Sequence, residues 1–162
     1  MTKLPDNQFR PPVPGLEFMA VFNVELGPPQ ELGETGLAKR RIIPITGGHF
    51  DGPGFKGRVL AGGADWQLVQ KDGLALIDTR YALETEDKAL IYISTRGFRY
   101  GPPDVIAAIG RGETVDPQKY YFRVNIQFET GAPAYYGLNR TLAVGAGMRL
   151  ANSVIFNAFR VT

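Results

Sequence analysis

The stretch Tyr121-Phe122-Arg123-Val124-Asn125-Ile126-Gln127-Phe128-Glu129 alternates polar and apolar side chains without a break. A β-strand sends successive side chains to opposite faces. Tyr121, Arg123, Asn125, Gln127 and Glu129 therefore share one face, and Phe122, Val124, Ile126 and Phe128 share the other. A helix would spread both sets around its circumference, so the period fixes a strand. Leu76-Ile77-Asp78-Thr79-Arg80-Tyr81-Ala82-Leu83 repeats the pattern, with Asp78 and Arg80 opposite Ile77, Thr79, Tyr81 and Leu83. Two placements fit these faces. In one, the polar face is wet and the apolar face is core, the common arrangement in antiparallel sheets. In the other, the polar face lines a barrel cavity and the apolar face packs on a partner subunit or an outer layer. A barrel of about eight strands encloses roughly one small ligand, so both are geometrically possible.

Outward from these runs the chain repeats the signal. Leu16 to Leu26 is rich in aromatic and branched residues and closes at Gly27-Pro28-Pro29. Further strand segments are predicted at Lys39 to Thr46, Gly54 to Ala61, Trp66 to Gln70, Leu74 to Glu84, Ala89 to Tyr100, Lys119 to Thr130, Thr141 to Arg149 and Asn152 to Val161. Glycine-rich or charged turns separate them, among them Gly47-Gly48, Gly62-Gly63 and Gly145-Ala146-Gly147. Such spacing predicts an antiparallel sandwich or closed barrel. The one predicted helix is short, Pro103 to Gly110, opened by proline and stopped by glycine. Residues 1–15 end in Arg10-Pro11-Pro12-Val13-Pro14-Gly15, where proline cannot supply ladder bonds, so they read as an extended arm. The expected fold is all-β: a single antiparallel barrel of about eight to nine strands over residues 16–162, with one short helix.

Composition narrows the function classes. A chain of 162 residues suits one core, and its 20 Gly and 12 Pro favour turns over long helices. The formal charge is only +2 and the basic residues are scattered apart from Lys39-Arg40-Arg41, which argues against nucleic-acid binding. Without cysteine there is no disulfide, thiolate nucleophile or thiolate metal site. One histidine, His49, leaves only carboxylates to complete a metal shell, so no metal is expected. No apolar run approaches a membrane span and the start lacks a signal-peptide pattern, so a cytoplasmic protein is the expectation.

Several residues could carry chemistry. His49, in Gly47-Gly48-His49-Phe50-Asp51-Gly52, has the ordinary titration range of a general base, or is a turn histidine. Asp65 and Trp66 follow the glycine pair Gly62-Gly63. Asp65 either bonds turn backbone while Trp66 seals the core, or sits buried beside an indole, where its charged form is disfavoured and a general acid or base is prepared. Arg80, Arg96, Arg99, Arg123 and Arg140 lie in or beside predicted strands. Converging on a cavity they would clamp an anionic oxygen; otherwise they pair across strands with Asp78, Asp104 and Glu129. Tyr121 and Tyr136 could donate to a substrate oxygen or seal a barrel mouth.

These motifs occur in a familiar order. Gly47-Gly48-His49-Phe50-Asp51-Gly52-Pro53, Gly62-Gly63-Ala64-Asp65-Trp66, Asp78-Thr79-Arg80-Tyr81, Arg96-Gly97, Tyr120-Tyr121-Phe122-Arg123, Phe128-Glu129-Thr130-Gly131-Ala132 and Leu138-Asn139-Arg140 resemble domain-of-unknown-function family 3237, also catalogued as uncharacterised protein family 0311. The resemblance covers nearly the whole chain from Leu16. It implies a small antiparallel barrel similar to allene-oxide-cyclase and dirigent barrels, whose cavities take apolar small molecules, and it implies no known reaction. By that fold analogy, isomerase, cyclase and lyase chemistry stands above hydrolysis. Alanine stands at Ala61 where the family pattern has proline, and glycine at Gly137 where it has a bulky aromatic.

The expectation is a cofactor-independent enzyme acting on a small, largely apolar substrate that bears a carbonyl, enol or carboxylate. Arg80, Arg96 and Arg123 would hold the developing oxyanion. Asp65, Asp78, Glu129 or His49 would move the proton, and Tyr121 or Tyr136 would donate to an oxygen, with Trp66 and Asn139 completing the pocket. The alternatives are a non-catalytic barrel that binds a small ligand with the same residues, and a structural protein whose barrel is filled by side chains. An apolar outer face would make a homo-oligomer.

Overall fold

A computed structural model describes residues 10–162, so the first nine residues of the predicted arm lie outside the described ones. Residues 10–15 carry no strand and are exposed. Ten strands follow: β1 Leu16–Leu26, β2 Gln30–Glu34, β3 Lys39–Asp51, β4 Gly57–Val59, β5 Gly63–Val69, β6 Ala75–Thr85, β7 Leu90–Tyr100, β8 Tyr121–Glu129, β9 Ala143–Arg149 and β10 Ser153–Val161. Helix α1, Pro103–Gly110, joins β7 to β8, with 3₁₀ segments at Pro117–Lys119 and Pro133–Arg140.

Strands β1, β10, β9, β8, β7 and β6 pair antiparallel in that order. Closure falls to the long strand β3. Its Val21↔Asp51 to Leu26↔Ile45 register joins β1, while its other edge pairs β5 through Lys39↔Val69 to Ile45↔Gly63 and β4 through His49↔Arg58. Strands β5 and β4 in turn pair β6. The result is a closed eight-stranded antiparallel barrel in which β2 and β4 are extra strands. Closure removes exposed sheet edges.

Glycines that read as turns lie inside strands. Gly48 has φ +124°, and a Cβ there would collide with the carbonyl oxygen of Asn23, so β3 crosses β1 at that point only because position 48 lacks a side chain. On β9 a Cβ at Gly147 would sit 2.9 Å from the Phe122 ring, so small inward residues on this strand make room for large ones on β8.

Burial decides which faces look inward. Phe122, Val124, Ile126 and Phe128 are buried, whereas Tyr121, Arg123, Asn125, Gln127 and Glu129 are exposed. On β6, Ile77, Tyr81 and Leu83 are buried and Asp78 and Arg80 are not. The polar faces of β6 and β8 are therefore the outer faces. The inverted placement fails because four apolar side chains on β8 bury far more favourably than they would hydrate.

One end of the interior is solid. Phe22 stacks between Phe50 and Phe156, at ring centroids 5.2 and 4.6 Å, and Phe55 packs against Phe50, Phe128 and Tyr135. The opposite end lies under α1. Val105, Ile106 and Ile109 of that helix pack on the core, a methyl group at Gly73 of the β5–β6 turn would touch Ile106, and Gly112 faces Ala151 of the β9–β10 turn.

Candidate active site

Between the aromatic floor and α1 the barrel keeps a cavity of about 50 Å³. Its walls are largely apolar, with Val24, Ile43, Ile45, Ile77, Phe122 and Phe156 among them, and its polar groups are few and converge: Asp65, Gln67, Thr79, Tyr81, Thr95, Arg99 and Arg149. A mostly apolar hollow with a few placed polar groups is the usual form of a small-molecule site.

Asp65 is the centre of this set. It sits on β5 opposite Thr79 and is 7% exposed. Its Oδ1 accepts from the Asp78 backbone N–H at 3.0 Å and its Oδ2 from Gln67 Nε2 at 2.9 Å. Gln67 Oε1 accepts in turn from Arg41 Nε and Nη2, at 2.8 and 2.6 Å. The carboxyl is thus fixed at both oxygens, and its orientation is relayed from a guanidinium two residues along the neighbouring register. Burial pushes its pKa above the ordinary carboxylate value; the two hydrogen bonds and the charges of Arg99 and Arg41 oppose that rise without cancelling it.

Two further arginines complete the end under α1. Arg99, on β7, is 6% exposed, and its Nε has no hydrogen-bond partner among the described residues. Burial, then Arg41 and Arg149, bring its pKa down to about 10, while Asp65 and Tyr120 act the other way, so it stays charged at neutral pH. Arg149, at the end of β9, turns its Nη1 to the carbonyls of Leu150, Ala151 and Ser153, and its backbone N–H donates to the Tyr120 hydroxyl at 2.9 Å. Deeper in, Thr79 and Thr95 share a hydrogen bond at 2.7 Å. The buried Tyr81 hydroxyl has no partner among the described residues, and burial raises its pKa, so it stays a protonated donor. The charges of Arg99, Arg41 and Arg149 thus act on one carboxyl, Arg41 having Glu31 at 3.9 Å as well, an arrangement suited to an oxygen that becomes negative.

The raised pKa of Asp65 has a sign that can be measured. A carboxyl that binds its proton more tightly folded than unfolded contributes stability that is full below the unfolded pKa, about 3.9, and is lost as pH rises through the folded value. Denaturant titrations of wild type and Asp65→Asn between pH 3 and pH 8 are therefore expected to show wild type losing stability relative to the variant as pH rises. A gap that is flat with pH, or that moves the other way, contradicts the buried carboxyl.

Of the residues singled out in the sequence, the structure brings Asp65 and Arg99 into this cavity and places the others elsewhere. Asp78 and Arg80 pair on the outer face of β6, with Arg80 Nη2 3.0 Å from Asp78 Oδ2 and its guanidinium over the Trp66 ring at 5.3 Å. Arg96 also reaches Asp78 from outside, at 3.4 Å. Trp66 faces outward because its neighbours Asp65 and Gln67 face inward. Tyr121 stacks on Tyr100 with Arg123 over its ring, and Glu129 is exposed at the end of the same outer face. Tyr136 is exposed beneath Arg140, and Asn139 ties the 3₁₀ segment to β8 by bonding both backbone groups of Thr130, at 2.9 and 2.7 Å. His49 lies on the outer face of β3, six residues beyond the Ile43 that pairs with Asp65. About 20 Å of strand separates them, so the two glycine-flanked corners do not meet in one pocket. The clamp of Arg80, Arg96 and Arg123 is thus an outer-face network, and the interior guanidinium groups are those of Arg41, Arg99 and Arg149.

The signal for these interior groups is one of parity. Arg41 shares the inward parity of Ile43 and Ile45, Gln67 that of Asp65, Arg99 that of Ile91, Ile93 and Thr95, and Arg149 that of Ala143 and Gly145. A charged residue on the apolar side of its own strand marks the cavity; charged residues on the polar side mark the surface.

Fold and site together define a small closed antiparallel barrel with an apolar interior and a buried carboxyl among arginines. Residues 14–161 match the family described as protein of unknown function, DUF3237, and the chain belongs to that family. A solved β-barrel-like protein of Acinetobacter baumannii is 52% identical and superposes with a TM-score of 0.85, covering 96% of this chain and 100% of that one. A UPF0311 protein of Rhodopseudomonas palustris is 41% identical over 150 residues, 91% of this chain and 98% of that protein. A hydroalkoxylation enzyme of Penicillium herquei is 32% identical over 85 residues, 52% of this chain and 56% of that protein. Among the described residues no helix is long and apolar enough to cross a membrane.

Proposed function

We propose that the protein is a cofactor-independent barrel enzyme that isomerises or cyclises a small, largely apolar substrate by moving one proton. The observation that carries this reading is the pairing of a buried, raised-pKa carboxyl with converging arginines in an otherwise apolar cavity. Asp65 takes a proton from an acidic O–H or C–H of the substrate, and Arg99, supported by Arg41 and Arg149, stabilises the oxygen that becomes negative. In a cyclisation that oxygen forms the new C–O bond to one alkene carbon, and Asp65 returns the proton to the other. In an isomerisation the proton returns to a different atom of the same molecule. Atoms and charge balance without an oxidant or a second substrate. The distant relationship to a hydroalkoxylation enzyme supports chemistry of this class.

The test is a panel of 2-alkenylphenols and enolisable ketones incubated with the protein in D₂O and followed by NMR. A product isomeric with its substrate, with one solvent deuteron fixed at carbon, is expected. Binding with no conversion of any member would favour the non-catalytic ligand-binding barrel instead.

We also propose that the chain self-associates. Exposed Leu16, Phe18, Phe98, Tyr100 and Tyr121 cluster on the outer face, and the groove among them is lined by Arg96 and Arg123 with no Lys, Asp or Glu among its described residues. Aromatic and arginine enrichment with lysine depletion is the composition of an interface core. Light scattering is expected to give at least twice the chain mass; a monomer at micromolar concentration would contradict it.

A further inference from the structure

Each interior arginine can be asked which of its donors remain free. Arg41 commits Nε and Nη2 to Gln67, and Arg149 directs Nη1 to three backbone carbonyls. Arg99 differs: it is 6% exposed, it lines the cavity, and its Nε is buried without a partner among the described residues. An unpaired, buried, charged donor is costly, on the order of 1–3 kcal/mol or more, so its persistence calls for an acceptor that arrives from outside.

We infer that this acceptor is a carboxylate of the substrate, bound side-on to the Nε edge of Arg99 with its apolar body directed into the barrel. The Nε edge presents two parallel N–H groups, and a carboxylate offers one oxygen to each. With Arg41 offset by Glu31 at 3.9 Å, a neutral carbonyl would leave the charges of Arg99 and Arg149 against the single Asp65 carboxyl, whereas a carboxylate offsets that excess in a site where little water screens it. Phe122 supports the arrangement, since the Arg99 guanidinium lies over its ring at 5.9 Å. The cavity of about 50 Å³ has room for roughly three to four water-sized groups, which suits a carboxyl and a short apolar chain or the acidic end of a longer molecule. This inference rests on the proposed function above and narrows its substrates to acids.

The test uses butyrate and its neutral isostere butyramide, titrated into the full chain by calorimetry. Butyrate is expected to bind about tenfold or more tightly than butyramide, the difference made by one charge-assisted pair. Arg99→Lys, which keeps the charge and loses the fork, is expected to weaken butyrate by about tenfold while Arg58→Gln, on the outer face, leaves it unchanged. Circular dichroism on Arg99→Lys checks that the barrel is intact, and Arg99→Gln provides a second variant. Equal affinity for butyrate and butyramide, absence of butyrate binding, or butyrate binding indifferent to Arg99 overturns the inference. The two proposals fail separately. Butyrate held by Arg99 in a protein that converts no compound leaves the acid site standing and removes the catalytic reading; conversion of neutral panel members without butyrate binding does the reverse.

Discussion

Asp65→Asn is expected to lower kcat/KM about 10²–10⁴-fold on whichever panel compound is converted, the range for removing a positioned general acid or base. The reason is specific to this carboxyl. It is 7% exposed, both its oxygens are tied, and its proton affinity is raised by burial, so no water and no neighbouring side chain can substitute for it. Asparagine fills the same volume and can still accept from the Asp78 N–H, so the barrel should remain folded while the proton carrier is gone. The loss should fall on kcat more than on KM, because the proton moves in the transition state and contributes little to ground-state binding. The wild-type pH profile should show an essential group titrating above the ordinary carboxylate range, absent from the residual activity of the variant. Steady-state kinetics with circular dichroism on the same samples read all three. A variant that retains wild-type kcat would remove Asp65 from the chemistry.

Arg99→Lys is expected to cost about 10²–10³-fold in kcat/KM, since the fork holds the incoming anionic group and also donates to the oxygen that becomes negative. Lysine preserves the charge but cannot present the Nε edge, and its compact ammonium would lose the planar guanidinium's place over Phe122. The contrast lies on the other side of the sheet. Combined replacement of Arg80, Arg96 and Arg123 by glutamine is expected to leave kcat within about twofold, since exposed pairs of this kind are worth 0–1 kcal/mol and touch nothing in the cavity. If the triple replacement abolishes turnover while Arg99→Lys is silent, the site lies on the outer face.

Much of the barrel was readable from local pattern. Leu16–Leu26 and Pro103–Gly110 fall where aromatic enrichment and the proline and glycine boundaries put them. Strand β2 was not, because Gln30-Glu31-Leu32-Gly33-Glu34 is exposed and pairs only as a flap on β3, so it carries no buried face to impose alternation. Gly47-Gly48 and Gly145-Ala146-Gly147 read as turns but sit mid-strand. Glycine there answers a close approach of two backbones or of a ring, which is information held by the partner strand.

The site was less legible for a related reason. Arg80, Arg96 and Arg123 drew attention together with Arg99, although those three lie in polar faces. Arg41, Arg99 and Arg149 matter because they interrupt apolar ones. Which face is inside depends on closure through β3, a long-range property that strand periodicity leaves undetermined. Asp65 stood out for its glycine pair and its tryptophan neighbour. Trp66 marks the site only by pointing away from it, since adjacent residues on β5 take opposite faces.

The most direct measurement of the central claim is a crystal structure of Asp65→Asn with the converted panel compound bound, the slow variant holding it in place. The account predicts the compound inside the barrel, an oxygen within hydrogen-bond reach of Arg99 and the reacting atom beside position 65. Density for it on the outer groove between Arg96 and Arg123, with the interior unchanged, would contradict the account.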